Sequence, residues 1–568
     1  MSLSGTLNVG KSALAVTQAA IQTTGNNIAG ASDPNYSRQV ASVGSARGRS
    51  AGDGIFLGTG IELAGVERQV DEALNRRLDA AAGESAAARE RLDWLRQAEA
   101  AFNELTDADV STAMTRYFNA WSSLANNPGD AALRQSVISE SEALASEFNR
   151  LYDRLDRLAD DVDLRVEAYA KDADRVLDEI ASLNTQIQQA EGAGGGGSAN
   201  ALRDRRDALV GEVAGLAGTR AILQPDGSLN VYAGTEPLVI AGDSRGITLE
   251  KRNDATSGKV LTTVTIDNGG GPAPLNGGQL AGAVEAQQTI RDTLARLDAV
   301  AQSLKHEVNT LHASGQGTRG YDTVSADVRV DDTTVALDLP AAGVEPPPQN
   351  GSFVVHLRDK ASGNTTSTII SVPLDGTTGG TSLDDLTTAI DAIGGVSASV
   401  SAGQLTISAD AASQEVVFSD DTSKVLASLG IATFFTGQGA ADLGVNQAIK
   451  DDPGKLAASR DNTPGGNGNA LAMASLADQG LDALAGGTIA QAFDATLFEV
   501  SAGVRTATTE ADAAGAIEET LIAQRQALSG VSLDEEAVQL LRYQRSYQGA
   551  ARVVAAVDEM MQTLLDLV

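Results

Sequence analysis

The chain of 568 residues contains no cysteine and only 3 histidines. Without thiols it cannot form disulfides, thiolate zinc sites, iron–sulfur clusters or a cysteine nucleophile. Scarce histidine removes the commonest metal ligand and acid–base group. Aromatic residues make up 4% of the chain, and no apolar run reaches the roughly 18 residues that a membrane-spanning helix requires. We therefore expect no cofactor, no metal site and no membrane insertion.

Positive charge is also scarce, since 42 Lys and Arg stand against 75 Asp and Glu, for a formal net charge of −33. A surface of that sign repels the phosphate backbone, so we expect no nucleic-acid partner. The length exceeds the roughly 250–300 residues at which a single core stops growing. The chain should therefore fold as several domains.

The N-terminal segment 1–32 carries Lys11 as its only charged residue. A cleaved signal peptide is disfavoured because Thr17 and Gln18 interrupt the apolar run. Spacings of four and three residues instead predict an amphipathic helix of the coiled-coil type. It either packs against other chains on several sides or is an ordinary buried terminal helix, and both alternatives stay open. The periodic positions are Leu3, Leu7, Gly10, Leu14, Thr17, Ile21, Thr24 and Ile28.

The C-terminal segment shows the same periodicity. Ser532 and Glu535 have the spacing of a helix capping box, and no proline follows them. Two such patterns at opposite ends predict that the terminal helices pair as a coiled-coil core, with the rest of the chain inserted between them. The C-terminal periodic positions are Leu540, Tyr543, Tyr547, Ala550, Val554, Val557, Met561, Leu564 and Val568.

Between the ends, helical periodicity dominates the first half of the chain. The longest pattern, 131–191, predicts a rod of about 90 Å at roughly 1.5 Å per residue. Further helices are expected at 66–102, 199–216 and 279–313 and from residue 467 onward. Strands are expected at 221–223, 229–232 and 260–266, and in the acidic segment 325–440, which also holds a helix capped by Ser382 and a hairpin over 396–409.

The predicted fold class is mainly α with inserted β-rich domains, combining the terminal coiled coil with a long helical-bundle rod and with outward β and α+β domains. We divide the chain into four domains. These are a terminal core of 1–45 with 530–568, a helical rod of 46–216 with 460–529, a β-rich domain with a helix of 217–324 with 441–459, and an acidic α+β outer domain of 325–440.

Three short motifs imitate enzyme signatures, but none has the context that its chemistry requires. Residues 5–12 match a phosphate loop but lie in the predicted terminal helix, without a preceding strand. Residues 242–246 match a nucleophile elbow but lead into a second strand, and 315–320 match a dinucleotide fingerprint but follow a helix. His306 and His312 are six residues apart and cannot chelate zinc from one helix, so we expect them at its surface or edge. The chain is predicted not to be an enzyme.

Both ends carry a recognisable pattern. NNIAGASDPNYSRQ at 26–39 resembles the N-terminal signature of the flagellar rod, hook and junction proteins, and SGVSLDEEAVQLLRYQRSYQGAARVV at 529–554 resembles their C-terminal signature. The segments 117–155 and 429–459 are similar to the junction members of that class, and 381–408 is similar to a module repeated in flagellins and hook-associated proteins. The family's Thr-Pro-Gly turn is replaced here by Asp33-Pro34-Asn35, in which Asn accepts the left-handed backbone that Gly would take.

The resemblance implies a structural protein of the bacterial flagellum that joins hook to filament and polymerises through its terminal helices. It implies an extracellular location, reached through the flagellar type III export channel without a cleaved signal peptide. The implied partners are copies of itself, the hook protein, a second junction protein (hook-associated protein 3) and an export chaperone on the C-terminal helix. The alternatives are another flagellar axial protein, such as the hook or second junction protein, and a secreted coiled-coil translocator or adhesin.

The resemblance also adds Asn26 and Asn27 to the predicted assembly interface formed by the periodic positions of the two terminal helices. The turn motif of the N-terminal signature is expected at Asp33, Pro34, Asn35, Tyr36, Ser37 and Arg38. We expect the two ends to be poorly ordered in the free monomer and to fold on assembly, where lateral contacts stabilise them.

Overall fold

The computed structural model describes residues 3–50, 56–102, 109–192, 199–253, 260–267, 271–461, 463 and 465–566. The chain divides into two compact units. Unit 1 comprises Met1–Trp94, Asp161–Gln287 and Arg505–Val568, and unit 2 comprises Leu95–Asp160 and Gln288–Val504. The architecture is mainly helical with several small β-sheets, which confirms the predicted fold class.

The helices account for most of the described chain. Their bounds are α1 Leu3–Gly30, α2 Glu72–Phe102, α3 Val110–Asn126, α4 Ala131–Gly192, α5 Asn200–Ala217, α6 Gly278–Ala313, α7 Leu383–Asp391, α8 Val425–Leu429, α9 Gln447–Asp451, α10 Gly468–Ser475, α11 Ile489–Ser529 and α12 Leu533–Leu565.

The strands are short. Their bounds are β1 Gln39–Ser45, β2 Arg49–Ser50, β3 Phe56–Leu57, β4 Ile61–Arg68, β5 Arg220–Leu223, β6 Leu229–Ala233, β7 Glu236–Ile240, β8 Asp243–Ser244, β9 Ile247–Asn253, β10 Val260–Ile266, β11 Thr323–Ser325, β12 Gly351–Asp359, β13 Thr365–Val372, β14 Val396–Ser401, β15 Gln404–Ala409, β16 Gln414–Ser419, β17 Phe435–Thr436 and β18 Gly444–Val445.

Unit 1 contains both ends of the chain. α1 packs against α12, and the antiparallel hairpin of β1 and β4 packs against α1. A four-stranded sheet in the order β5-β6-β7-β8 and the antiparallel pair β9–β10 belong to the same unit. The Asn184 amide on α4 donates to the backbone oxygens of Leu229 and Ala241, which holds the sheet to that helix.

Unit 2 contains an aromatic core. The ring centroids of Trp121 and Phe434 are 5.8 Å apart, and those of Tyr117 and Phe435 are also 5.8 Å apart. His312 at the end of α6 contacts the Phe434 ring and is 2% exposed. Large side chains from α3 thus pack on the start of β17 and on the residue before it, which gives a close-packed interior.

The strand-rich part of unit 2 has its own apolar interior. β12 lies between β13 and β16 in one antiparallel sheet, and β15 lies between β11 and β14 in another. Helix α7 begins with a complete capping box between Ser382 and Asp385, as the sequence predicts. Phe353, Leu386 and Ile407 are among the residues whose side chains fill the interior.

The structure corrects two predictions. The helix expected from residue 66 begins at Glu72, and Val66 lies on strand β4, so apolar spacing alone misplaced this boundary. His312, expected at the surface or edge of α6, is buried. One ring nitrogen lies 2.8 Å from the Ala432 oxygen, and the other accepts from the Ala457 N–H at 3.1 Å. These two polar partners make an interior position favourable for a neutral imidazole.

The junction of the terminal helices

The two terminal helices pair antiparallel within unit 1. Gly10 of α1 lies against Val554 of α12, and Asn27 of α1 lies against Glu536 of α12. A Cβ atom added at Gly10 would lie 2.7 Å from Cγ2 of Val554, so the glycine allows this close approach. The predicted pairing of the two terminal helices within one chain is therefore confirmed.

The predicted interface residues differ in how far this pairing covers them. Asn27 and Val557 are buried, and Asn26 is exposed. Tyr547 and Leu564 remain 39% and 51% exposed, and Val568 lies outside the described residues. The remaining predicted positions are half-buried, namely Leu3, Leu7, Leu14, Ile21, Ile28, Leu540, Tyr543, Val554 and Met561.

The hairpin of β1 and β4 covers a second face of α1. A Cβ atom added at Gly60, just before β4, would lie 2.4 Å from Oγ of Ser12 and 3.4 Å from Cα of Val9. The backbone at Gly60 has φ +116°, which an L-residue rarely adopts. Gly60 therefore allows both the local turn and the contact with α1.

A third side of α1, which we name the α1 outer face, stays open to solvent. Lys11 is its only charged residue, and the others are small or uncharged. The face consists of Ser4, Gly5, Asn8, Lys11, Ala15, Gln18, Gln22, Gly25, Asn26 and Ala29.

Helix α12 also exposes large apolar side chains, which we name the α12 outer face. Of its 33 residues, Glu536 and Val557 are the buried ones. Such a concentration of exposed apolar side chains on one helix is typical of a surface that another protein covers. The face consists of Val538, Leu541, Val553, Met560 and Leu564.

Where α1 ends, its Asn27 side chain connects the helix to strand β1 and to α12. Its Oδ1 accepts from the Gln39 N–H and the Tyr36 hydroxyl, both at 2.9 Å. Its Nδ2 donates to the Gln39 oxygen at 2.9 Å and to Oε2 of Glu536 at 3.1 Å. All four hydrogen-bonding positions of the amide are therefore occupied. Replacement by a side chain without an amide would leave buried polar groups unpaired.

Glu536 is 2% exposed and is the acidic member of this network. Its Oε1 accepts from Nε of Arg38 at 2.7 Å, and the Arg38 backbone N–H donates to the Ser529 oxygen at 2.9 Å. Arg38 thus joins the chain after the N-terminal turn to the end of α11 and to the first turn of α12. A buried carboxylate is tolerated here because it is paired and hydrogen-bonded.

The predicted turn forms directly after α1. Asp33 accepts from the Asn35 N–H through its side chain at 2.9 Å and from the Tyr36 N–H through its backbone oxygen at 3.1 Å. The backbone at Asn35 does not have a positive φ, so the prediction of a left-handed conformation at this residue is wrong. The Asp33 side chain stabilises the turn without it. Pro34 is exposed, and Ser37 is buried.

Tyr36 packs its ring on Gly30, where an added Cβ would lie 2.6 Å from the ring. Burial raises the pKa of Tyr36 to about 12, with smaller contributions from Asp204 and Glu536. The phenol therefore stays protonated at neutral pH and can donate to Asn27. The four residues Asn27, Tyr36, Arg38 and Glu536 together fix the angle at which the chain leaves α1.

The three motif matches lie where the sequence places them, outside the context that their chemistry requires. The phosphate-loop match at 5–12 lies inside α1, Ser244 lies on the short strand β8, and 315–320 form a loop after α6. Among the described residues, no group of three or more His, Asp and Glu side chains is placed to hold a metal ion. Within the same residues, no helix is long and apolar enough to cross a membrane.

The sequence patterns missed the hairpin of β1 and β4 and the pairing of Glu536 with Arg38. One signal was available, because Asn27, Arg38 and Glu536 all lie inside the two terminal signatures. An uncharged amide, a cation and an anion within short motifs at opposite ends could have suggested a shared network. Gly60 carries no such signal, since its role depends on a contact with α1.

Comparison with known proteins places the chain among flagellar proteins. Residues 95–325 match the family described as "Flagellar hook-associated protein FlgK helical domain", and 524–567 match "Flagellar basal body rod FlgEFG protein C-terminal". The solved "flagellar hook junction protein FlgK from Burkholderia pseudomallei" covers 80% of this chain and 100% of its own, with a TM-score of 0.49 and 17% identity.

Curated relatives extend the match to the whole chain. "Flagellar hook-associated protein 1" of Escherichia coli (strain K12) is 26% identical over 586 residues and covers 100% of both chains. The protein of that name from Salmonella typhimurium is 25% identical with the same coverage. The Bacillus subtilis protein of that name is 26% identical over 45% of this chain and 50% of its own. The chain is therefore similar along its whole length to flagellar hook-associated protein 1 of Escherichia coli and Salmonella typhimurium.

Proposed function

We propose that the chain joins the flagellar hook to the filament as a structural adaptor, polymerising through the outer faces of α1 and α12. The observation that carries this proposal is that α1 and α12, which pair with each other, each leave one face exposed to solvent. Both faces are better suited to contact with protein than to contact with water. On α1, Lys11 is the only charge, although the whole chain carries 21% charged residues. Copies with a net charge of −33 repel one another, so their contacts should use uncharged surfaces.

The α12 outer face supplies the apolar part of such a contact. Val538, Leu541 and Met560 are 65%, 57% and 49% exposed within the single chain. Covering side chains of this size contributes about 1.5–3 kcal/mol each when their burial is complete. Several of them on one helix would therefore stabilise a polymer in which each copy meets its neighbours.

The proposed partners follow from that position in the flagellum. They are further copies of the chain, the hook protein on one side and hook-associated protein 3 on the other. Before assembly, an export chaperone would cover the α12 outer face, because an exposed apolar helix is an aggregation hazard. The chain would then reach the cell exterior through the flagellar type III channel without losing a signal peptide. Functioning at the junction requires no reaction, so we propose no catalytic role.

Cells lacking the gene provide the first test. Electron microscopy should show finished hooks without filaments, and the culture medium should contain monomeric filament protein. Restoring the gene should restore the filaments. Normal filaments in the deletion strain would overturn the proposed function and would favour the secreted translocator instead.

The absence of cysteine allows a second test on isolated flagella. Cysteines placed at Ala15 or Gln22 on the α1 outer face, combined with Val553→Cys or Met560→Cys on α12, should give disulfide-linked oligomers after mild oxidation. A matched control is Leu164→Cys on α4, where the side chain is 66% exposed. Cross-linking no greater than in this control would contradict assembly through the two outer faces.

A further inference from the structure

Unit 1 contains a cavity of about 270 Å³ that the junction of the terminal helices does not explain. It lies among the first half of α2, helix α5, strands β5 and β6, and the second half of α11. Its lining is rich in charge. Glu72, Arg76 and Asp79 come from α2; Arg203, Arg206 and Asp207 come from α5; Glu518 and Arg525 come from α11; Arg68 comes from the end of β4.

Most of these charges have a partner. Arg68 Nη1 lies 2.8 Å from Oδ1 of Asp204 and 2.8 Å from Oδ2 of Asp207. Arg203 forms a two-point ion pair with Glu191, at 2.8 and 2.7 Å. The lining is therefore a nearly balanced ionic cluster, which does not favour a separate anion or cation ligand.

Asp79 differs from the other charged groups. It receives no hydrogen bond from the part of the chain that the structure describes, although it is half-buried. Its Oδ1 would lie 3.8 Å from a Cβ atom added at Gly211, so the carboxyl group rests over the bare backbone of α5. The carboxylate of Asp207 on α5 and the guanidinium of Arg525 on α11 line the same cavity, and their charges act on Asp79.

A carboxyl group in this position retains its proton to an unusually high pH. The pKa of Asp79 is raised to about 7, chiefly by burial and also by the charge of Asp207, while the charge of Arg525 acts in the opposite direction. Both raising effects oppose a second negative charge in the cavity. Asp79 therefore changes charge within the ordinary working range of a protein.

We propose that Asp79 is a proton-operated switch that sets how tightly the second half of α11 packs against α2 and α5. The neutral carboxyl group fits the cavity beside Asp207. The ionised group is buried beside Asp207, and the attraction of Arg525 on α11 offsets only part of that cost, so the ionised state favours an opening of α11 that lets water reach the carboxylate. The unfilled volume between these helices allows the adjustment, since a close-packed interface would resist it.

The C-terminal end of α11 links the packing of this helix to the terminal helices. The Ser529 oxygen accepts from the backbone N–H of Arg38, whose side chain pairs with Glu536. Looser packing of α11 therefore affects the segment that holds α1, β1 and α12 together. This inference concerns unit 1 of the single chain and does not depend on the proposed function.

The direction of the pH effect follows from the raised pKa. The folded chain binds the Asp79 proton more tightly than the unfolded chain, whose carboxyl group has a pKa near 3.8. The stabilisation is complete below the unfolded pKa and is lost as the pH rises through about 7. Packing of α11 should therefore be tighter at pH 5.5 than at pH 8.5.

Hydrogen exchange on the full chain, followed by mass spectrometry over 515–529 and corrected for the intrinsic pH dependence of exchange, tests the proposal. Protection should fall by up to about thirtyfold between pH 5.5 and 8.5, the change that linkage gives for a pKa near 7. Asp79→Asn should remove most of this pH dependence. The matched control Glu84→Gln, an exposed residue of the same helix, should behave like the unaltered chain.

A second variant tests the role of Arg525. Arg525→Gln removes the group that favours ionisation, so the midpoint of the protection profile should move to higher pH. A purely structural role for Arg525 would lower protection without moving the midpoint, and that result would overturn the proposal. An Asp79→Asn variant that keeps the full pH dependence of the unaltered chain would overturn it as well.

Discussion

Helices α3 and α12 illustrate two ways in which a helix of this chain is stabilised. Nine of the 17 residues of α3 are buried, including Tyr117 and Trp121. Of the 33 residues of α12, Glu536 and Val557 are buried, while large apolar side chains face solvent. The chain thus completes the packing of α3 by itself, whereas α12 keeps an apolar surface uncovered. If the proposed function is correct, the stability of α3 is intrinsic and that of α12 depends on assembly.

Trp121→Ala should produce the largest loss of stability. The indole is fully buried against Phe434 and the Tyr117 ring, so its removal leaves a cavity in unit 2. We expect a loss of about 4 kcal/mol in the free energy of unfolding of this unit. Urea unfolding followed by hydrogen exchange in 110–126 measures it. A loss below about 1 kcal/mol would contradict the view that α3 is intrinsically stable.

Glu536→Ala should show the largest effect at the terminal pair. It removes a buried carboxylate and leaves Arg38 and Asn27 without their partner, which costs about 3 kcal/mol when the pair is buried. The adjacent Glu535 is a matched control, because its side chain is 69% exposed and Glu535→Ala should cost at most about 0.5 kcal/mol. Hydrogen exchange of 27–45 in both variants checks the difference. Equal effects would mean that the network does not hold the helices.

Acid should weaken unit 2 through His312. Burial lowers the pKa of this imidazole to about 4, and the Arg134 charge acts in the same direction. The folded unit thus disfavours the proton that the unfolded chain binds below about 6.5, and stability is lost as the pH falls from there toward 4. The expected loss is about 3 kcal/mol. His312→Gln should flatten this dependence in unfolding measurements at pH 4–7, and an unchanged profile would exclude His312 as its source.

Gly10→Ala should have a moderate effect confined to the pairing of α1 with α12. The added methyl group would meet Val554, and overpacking of this kind costs about 1–3 kcal/mol. Gly25→Ala is the control, since an added Cβ there meets no atom within 4 Å. It should stabilise α1 slightly through helix propensity. Thermal unfolding of the two variants should therefore shift in opposite directions.

The sequence predicted the long helices well because each carries many turns of regular periodicity. α4 spans Ala131–Gly192 against a predicted 131–191, and Ser532 and Ser382 cap their helices as expected. The apolar positions of 1–28 and 540–564 also correctly indicated that the two ends pair. Local patterns sufficed wherever the structure depends on neighbours within a few residues.

Individual contacts between distant residues were not predicted. The strand around Val66 pairs with β1 across more than 20 residues, and the interior position of His312 depends on the backbones of Ala432 and Ala457. In the sequence, Glu536 has the pattern of an ordinary acidic residue in the first turn of a helix. Its burial follows from Arg38 and Asn27, which lie about 500 residues away in the chain.

The most direct test of the account compares hydrogen exchange in the free chain and in isolated flagella. In the free chain, α3 should be strongly protected, while 1–26 and 540–566 should be protected much less than α3, because their packing depends chiefly on one another. Assembly should slow exchange at both ends and leave α3 unchanged. Strong protection of both ends in the free chain would contradict the claim that the terminal helices depend on neighbouring molecules.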